Sequence, residues 1–145
     1  MKFEDIIEMW ESDSIIDDDH LDRESTRTPN LHAKYLNLLI QHKLKIASAL
    51  KDYKTLRQKK FRYYRGELSM AELNDLGWEQ WQGVKPLKNE MEEFLDGDVD
   101  LAEHDLKIEY LKSIYQYLDS VMNQIKARDW QIKNSISWKQ FISGA

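Results

Sequence analysis

The chain has 145 residues, with 21 Lys and Arg against 26 Asp and Glu, a formal net charge of −5 and 32% charged residues. That length predicts one domain with a modest core, and two Pro, five Gly and the high charge content favour helices over an all-β sandwich. The absence of cysteine excludes a disulfide framework or a thiolate metal site, and no apolar run approaches the roughly 18 residues of a membrane span, so a soluble protein of a reducing cytoplasm is expected.

Phe3, Ile6, Ile7 and Trp10 recur at i, i+3, i+4 and i+7, the apolar face of a short helix. Such a face docks on the core of its own chain, on a neighbouring subunit or on a partner, and the first is favoured. Ser12 to Ser14 end it. Asp17, Asp18, Asp19 and His20 follow, but consecutive residues cannot converge on one ion, so an acidic turn at a helix start is expected rather than a metal site. Thr28 and Pro29 then have the types preferred at an N-cap and a first helical position. The apolar positions of this long helix run through Leu31, Tyr35, Leu39, Ile46, Leu50, Tyr53 and Leu56 toward Tyr64, with Gly66 as its stop. His32 and His42 lack a partner at zinc-ligand spacing and are expected to pack or face solvent.

The second half of this helix, Lys43 to Arg65, holds nine Lys or Arg against Asp52 alone, a formal +8 that leaves −13 for the rest of the chain. On a helix, Lys43, Lys51, Lys54, Arg57, Arg62 and Arg65 share an arc of roughly 140°, beside the apolar arc. Lys59 and Lys60 add to the charge, and Phe61, Tyr63 and Tyr64 are interleaved with it. A basic, aromatic-studded face in an acidic protein is the pattern that holds a nucleic-acid backbone, with Phe61 and Tyr63 as base-stacking candidates and Tyr64 on the core side. The plainer alternative is a solvated helix face.

Ser69 and Glu72 form a capping box for a short helix carrying Met70, Leu73 and Leu76, and Asn89 to Leu95 makes another that ends at Asp96-Gly97. Trp78 and Trp81 lie in acidic surroundings that repel phosphate, so core packing is favoured for them. Asp100 and Glu103 resemble a second capping box at the start of the last helix. There Leu101, His104, Ile108, Leu111, Tyr115, Leu118, Met122, Ile125, Asp129, Ile132 and Ile136 follow spacings of three and four, a heptad seam that is polar only at His104 and Asp129. A second apolar row, Tyr110, Ile114, Tyr117 and Val121, lies beside it. Two apolar faces require either a bundle within the chain or a shared interface, and self-association through the seam is favoured. No phosphate-binding Gly-rich loop, H-E-x-x-H or G-x-S-x-G occurs, so no enzyme is expected.

In this order and spacing the residues resemble the UvsY family of recombination mediators from T-even-type bacteriophages. The resemblance runs from Glu4-Asp5 through Leu21, Lys34, Leu36 and Asn37 to the basic stretch closing in Tyr63-Tyr64-x-Gly66. It resumes at Glu90-Met91, Leu95 and Tyr110, then at Ile125-Lys126-x-Arg128, Ile132-Lys133, Ile136, Phe141 and Gly144. It implies a small all-α protein that binds single-stranded DNA as a ring-like hexamer or heptamer. Its implied partners are single-strand-binding protein and a RecA-type recombinase, in the cytoplasm of the infected bacterial host, with no cofactor. The family's DNA-contacting cations fall on Arg57-Gln58-Lys59-Lys60-Phe61-Arg62, where one basic position is here Gln58 and its companion Lys60. The expected division is a DNA-binding part, residues 1–97, and an oligomerising part, residues 98–145. The rivals are a coiled-coil adaptor whose basic face meets an acidic protein and a general RNA-binding module.

Overall fold

Two helices of 44 residues carry most of the chain: α2 (Leu21–Tyr64) and α5 (Val99–Ile142). The computed structural model describes residues 1–144, and the shorter helices in it are α1 (Phe3–Asp13), α3 (Met70–Leu76) and α4 (Met91–Asp96), with no strand among the described residues. The fold is all-α with two long helices, as expected.

Helix α2 begins ahead of Thr28-Pro29. Asp17 builds its start: one carboxylate oxygen accepts the Asp19 N–H at 3.0 Å and the other lies 2.7 Å from His20 Nδ1. Asp22 and Glu24 then place negative charge in the first turn, where the helix dipole favours it. Pro29 sits inside the helix instead of opening it. Its ring and Ser25, whose carbonyl loses an amide partner to the proline, are both exposed, so water replaces the missing bond. The other end closes on Gly66, at φ +71°, with the Glu67 N–H donating to the Arg62 carbonyl at 3.0 Å. Ser69 accepts the Glu72 N–H and caps α3 as expected. Helix α5 is capped differently from expectation: Asp98, not Asp100, accepts the Leu101 N–H at 3.0 Å.

Residue contacts form two units. The first joins Met1–Leu44 with the chain from Lys112 on; the second is Lys45–Leu111. In the first, Ile6, Leu31, Tyr35, Ile114, Leu118, Val121, Met122 and Ile125 make the core, and Phe3, Met9 and Trp10 of α1 lie against it. Helix α1 therefore docks within its own chain. Asp13 at its end accepts hydrogen bonds from Lys34 at 2.6 Å and the Tyr35 hydroxyl at 2.9 Å. Arg128 is buried and donates to the carboxylate and carbonyl of Glu24 at 2.8 and 2.9 Å and to Thr28 Oγ1 at 3.1 Å. Burial pushes the Glu24 carboxyl up, but Arg128 and Arg27 hold it below its ordinary value.

In the second unit Tyr64, Met91, Leu95 and Leu101 form the core, ringed by Tyr53, Leu56, Tyr63, Trp81 and Phe94. Trp81 meets Tyr64 edge-on at 4.9 Å, in the packing role expected of it. A Cβ at position 83 would stand 2.2 Å from the Trp81 ring, so any residue other than glycine there has to displace that ring.

The heptad seam is used inside the chain. Leu118, Met122, Ile125 and Ile132 are buried in the first unit, Leu101 and Ile108 in the second, and Leu111 and Tyr115 are half-buried. The same period of three and four serves burial against the chain's own helices as well as against another subunit. Helix α5 also leaves apolar residues in water: Val99, Leu106, Tyr110, Trp130, Trp138, Phe141 and Ile142, and Ile136, which continues the seam. Leu118→Ala is accordingly expected to lower the unfolding free energy by about 2–5 kcal/mol. A fall in the urea midpoint that is independent of protein concentration would check this.

Candidate nucleic-acid interface

From Lys51 onward the sequence of α2 separates two sides. Tyr53, Leu56 and Tyr64 turn inward, while Lys51, Lys54, Gln58, Phe61, Arg62 and Arg65 stay exposed. Lys54, Arg57, Gln58, Phe61 and Arg62 line a shallow depression of about 480 Å³ along the helix. Their spacing of three and four residues places them on one face without help from any other segment.

Acidic residues from the chain after α2 hold the arginines of this face. Arg57 meets Glu92 at 2.7 Å, Arg62 grips both carboxylate oxygens of Glu72 at 2.9 and 3.3 Å, and Arg65 meets Glu67 at 2.9 Å. The hydrogen bond from Arg62 keeps the Glu72 carboxyl below its usual range, and that to Glu92 raises Arg57 further. Lys51, Lys54 and Lys59 are exposed and stand outside these pairs, and Lys43 is exposed on the earlier part of α2. Arg65 also lies 5.5 Å from the Phe61 ring centre, a cation–π distance.

Lys60, placed on the phosphate-binding face by its charge, is instead buried. Its ammonium lies 2.7 Å from Asp100 and 3.2 Å from Asp98, and 4.2 Å over the Trp78 ring. The Tyr64 hydroxyl donates to the same Asp98 oxygen at 2.7 Å. A signal for this was present: Lys60 follows Leu56 by four residues and precedes Tyr64 by four, so it belongs to the apolar arc. Tyr63 is also engaged, its hydroxyl donating to the Glu79 carbonyl at 2.7 Å and its ring meeting those of Tyr64 and Trp78 at 5.3 Å. Phe61 is the aromatic that this face leaves open. The carboxylates of Glu67, Glu72 and Glu92 had no local signal, since their position depends on how the chain returns after Gly66.

These features define an all-α protein with a cationic, aromatic-bearing helix face suited to a polyanionic strand. A protein-family profile described as "Recombination, repair and ssDNA binding protein UvsY" matches residues 9–145, and the chain belongs to the UvsY family. Crystal structures of the bacteriophage T4 recombination mediator protein UvsY have a similar fold. The lattice type IV form is 22% identical with a TM-score of 0.81, covering 97% of this chain and 99% of that one. The type II form is 24% identical with a TM-score of 0.80, covering 99% and 98%. No curated protein sequence matches the chain.

The Lys60 cluster yields a pH-dependent prediction. Burial pushes the Asp98 carboxyl up, but the Tyr64 hydroxyl, the Leu101 amide and Lys60 together hold it below its ordinary value. A depressed carboxylate contributes stability above its unfolded pKa and loses it as pH falls through the folded one. Asp98→Asn is therefore expected to cost about 2–4 kcal/mol at neutral pH, with the gap from the parent closing as pH drops below about 4. Denaturant titrations at several pH values would check both the loss and its closure.

Proposed function

We propose that this chain binds single-stranded DNA along the outer face of α2 and acts as a recombination mediator. In this role it promotes loading of a RecA-type recombinase onto strands coated by single-strand-binding protein, in homologous recombination, repair and recombination-dependent replication. The observation that carries the proposal is the depression on α2, where Lys54, Arg57 and Arg62 surround an exposed Phe61. Cations would take the phosphates while the ring stacks a base, at about 1–3 kcal/mol per base whatever its identity. The glutamates on Arg57 and Arg62 are weak competitors, since exposed ion pairs contribute only about 0–1 kcal/mol, and a phosphate offers the same two-pronged acceptor.

One such face binds weakly. Several copies in a ring, a hexamer or heptamer as in the family resemblance, would raise the effective concentration and hold a strand tightly without sequence preference. Trp130, Trp138, Phe141 and Ile142 support this reading as apolar area left exposed on α5, with the Trp138 and Phe141 rings stacked at 5.6 Å. The site of action would be the cytoplasm of the infected bacterial host. Among the described residues no helix is long and apolar enough to cross a membrane.

Titration against fluorescent single-stranded and duplex DNA at two salt concentrations, with mass in solution recorded on the same sample, tests the proposal. With about four cations engaged per subunit, the log-log salt slope is expected near −3 per subunit, falling by about 0.7 for each of Lys51→Ala, Lys54→Ala and Arg62→Ala. A stable assembly that ignores DNA would favour the adaptor, and preference for RNA would favour an RNA-binding module. Glu72→Gln combined with Glu92→Gln frees two arginines and is expected to tighten single-strand binding roughly severalfold at low salt. Unchanged affinity would show that these two carboxylates do not compete with the strand.

A further inference from the structure

Phe61 belongs to two depressions at once. On one side is the basic face described above; on the other, Phe61, Arg65, Pro86, Leu87, Lys88 and Met91 line a pocket of about 280 Å³. We propose that this second pocket seats a nucleobase, so that a single strand crosses Phe61 with consecutive bases parted by the ring. The proposal rests on the single-strand reading and extends it to Leu87 and Lys88, in a segment that the basic run of α2 does not reach.

The chemistry of the lining is divided as a nucleotide is divided. Pro86, Leu87, Met91 and the Phe61 ring supply an apolar floor and walls, while Arg65 and Lys88 supply cations for a phosphate. The volume lies at the lower edge of the range for small-molecule sites, which suits one planar ring system rather than a larger ligand. The floor is also set before a ligand arrives. The Leu87 carbonyl accepts the N–H groups of Glu90 and Met91 at 2.9 and 3.1 Å, and Met91 is anchored in the core of the second unit. Leu87 nevertheless remains 64% exposed, an apolar side chain held in place with nothing over it. Preformed geometry of this kind reduces the ordering cost of binding.

Two consequences follow from parting the bases. A base seated in the pocket cannot keep its duplex partner, so discrimination against duplex is built into the site and does not rest on charge, which both forms share. Arg65 must also exchange the Glu67 carboxylate for a phosphate, an exposed pair that competes only weakly.

The test uses the full chain with an oligo-dT strand and with an abasic oligonucleotide of the same length. Leu87→Ser is expected to weaken oligo-dT binding by about fivefold or more, while the abasic strand, which has no base to seat, binds it as it binds the parent. Lys88→Ala is expected to weaken both strands and to reduce the salt slope by about 0.7. Both residues are exposed, so folding is not at stake. If Arg62→Ala weakens oligo-dT binding while Leu87→Ser and Lys88→Ala leave it unchanged, the second pocket is overturned and the α2 face stands. Equal losses of Leu87→Ser on both strands would overturn base seating as well. Absence of oligo-dT binding by the parent chain would remove the single-strand reading itself.

Discussion

The buried contact among Lys60, Asp98 and Tyr64 decides which side of α2 meets the solvent. Asp98 caps α5 through one oxygen and receives Tyr64 and Lys60 on the other. An ammonium removed from water must stay paired, because a buried charge without its partner costs several kcal/mol. With Lys60 and Tyr64 bound inward, the period of the helix leaves Lys54, Gln58, Phe61, Arg62 and Arg65 outward. The exposed basic face is thus the complement of an internal ion pair. Lys60, counted with that face for its charge, is the cation that orients it.

The acidic character of the protein is part of the same design. Glu67, Glu72 and Glu92 come from the chain beyond α2 and lie on three of its arginines. In the absence of nucleic acid these carboxylates neutralise a run that would otherwise repel itself and hold the guanidinium groups extended. Their hold is weak at a solvent-exposed site, where such ion pairs contribute only about 0–1 kcal/mol. Cationic side chains kept in place by exchangeable partners suit backbone contacts, which carry no sequence information.

Helix α5 illustrates how far periodicity carries. Its seam runs at spacings of three and four, and Leu101, Ile108, Leu118, Met122, Ile125 and Ile132 on it are buried. The period records that a stripe leaves water; it does not record whether the covering surface belongs to the same chain. Here α1 and α2 supply that cover in the first unit. Beyond Ile132 the cover ends: Ile136, in register, is 40% exposed. Trp130, Trp138 and Phe141, out of register, are exposed as well.

By itself the sequence determined the helical class, the Ser69 and Gly66 boundaries, the inward-facing Tyr64, the basic run on α2 and the likeness to the UvsY family. All of these rest on local propensity, on spacing within one element or on residue order. Tertiary structure decided which cations are free and which are buried, the early start of α2, the transfer of the α5 cap to Asp98 and the placing of Leu87 and Lys88 beside Phe61. The fate of the cations depends on partners far along the chain: Asp98 for Lys60, Glu92 for Arg57 and Glu24 for Arg128. The start of α2 and the cap of α5 rest on nearby carboxylates, Asp17 and Asp98, among several that the sequence offered. A helical period specifies the direction of a side chain about its own axis. Only the folded chain brings up the group that it meets there.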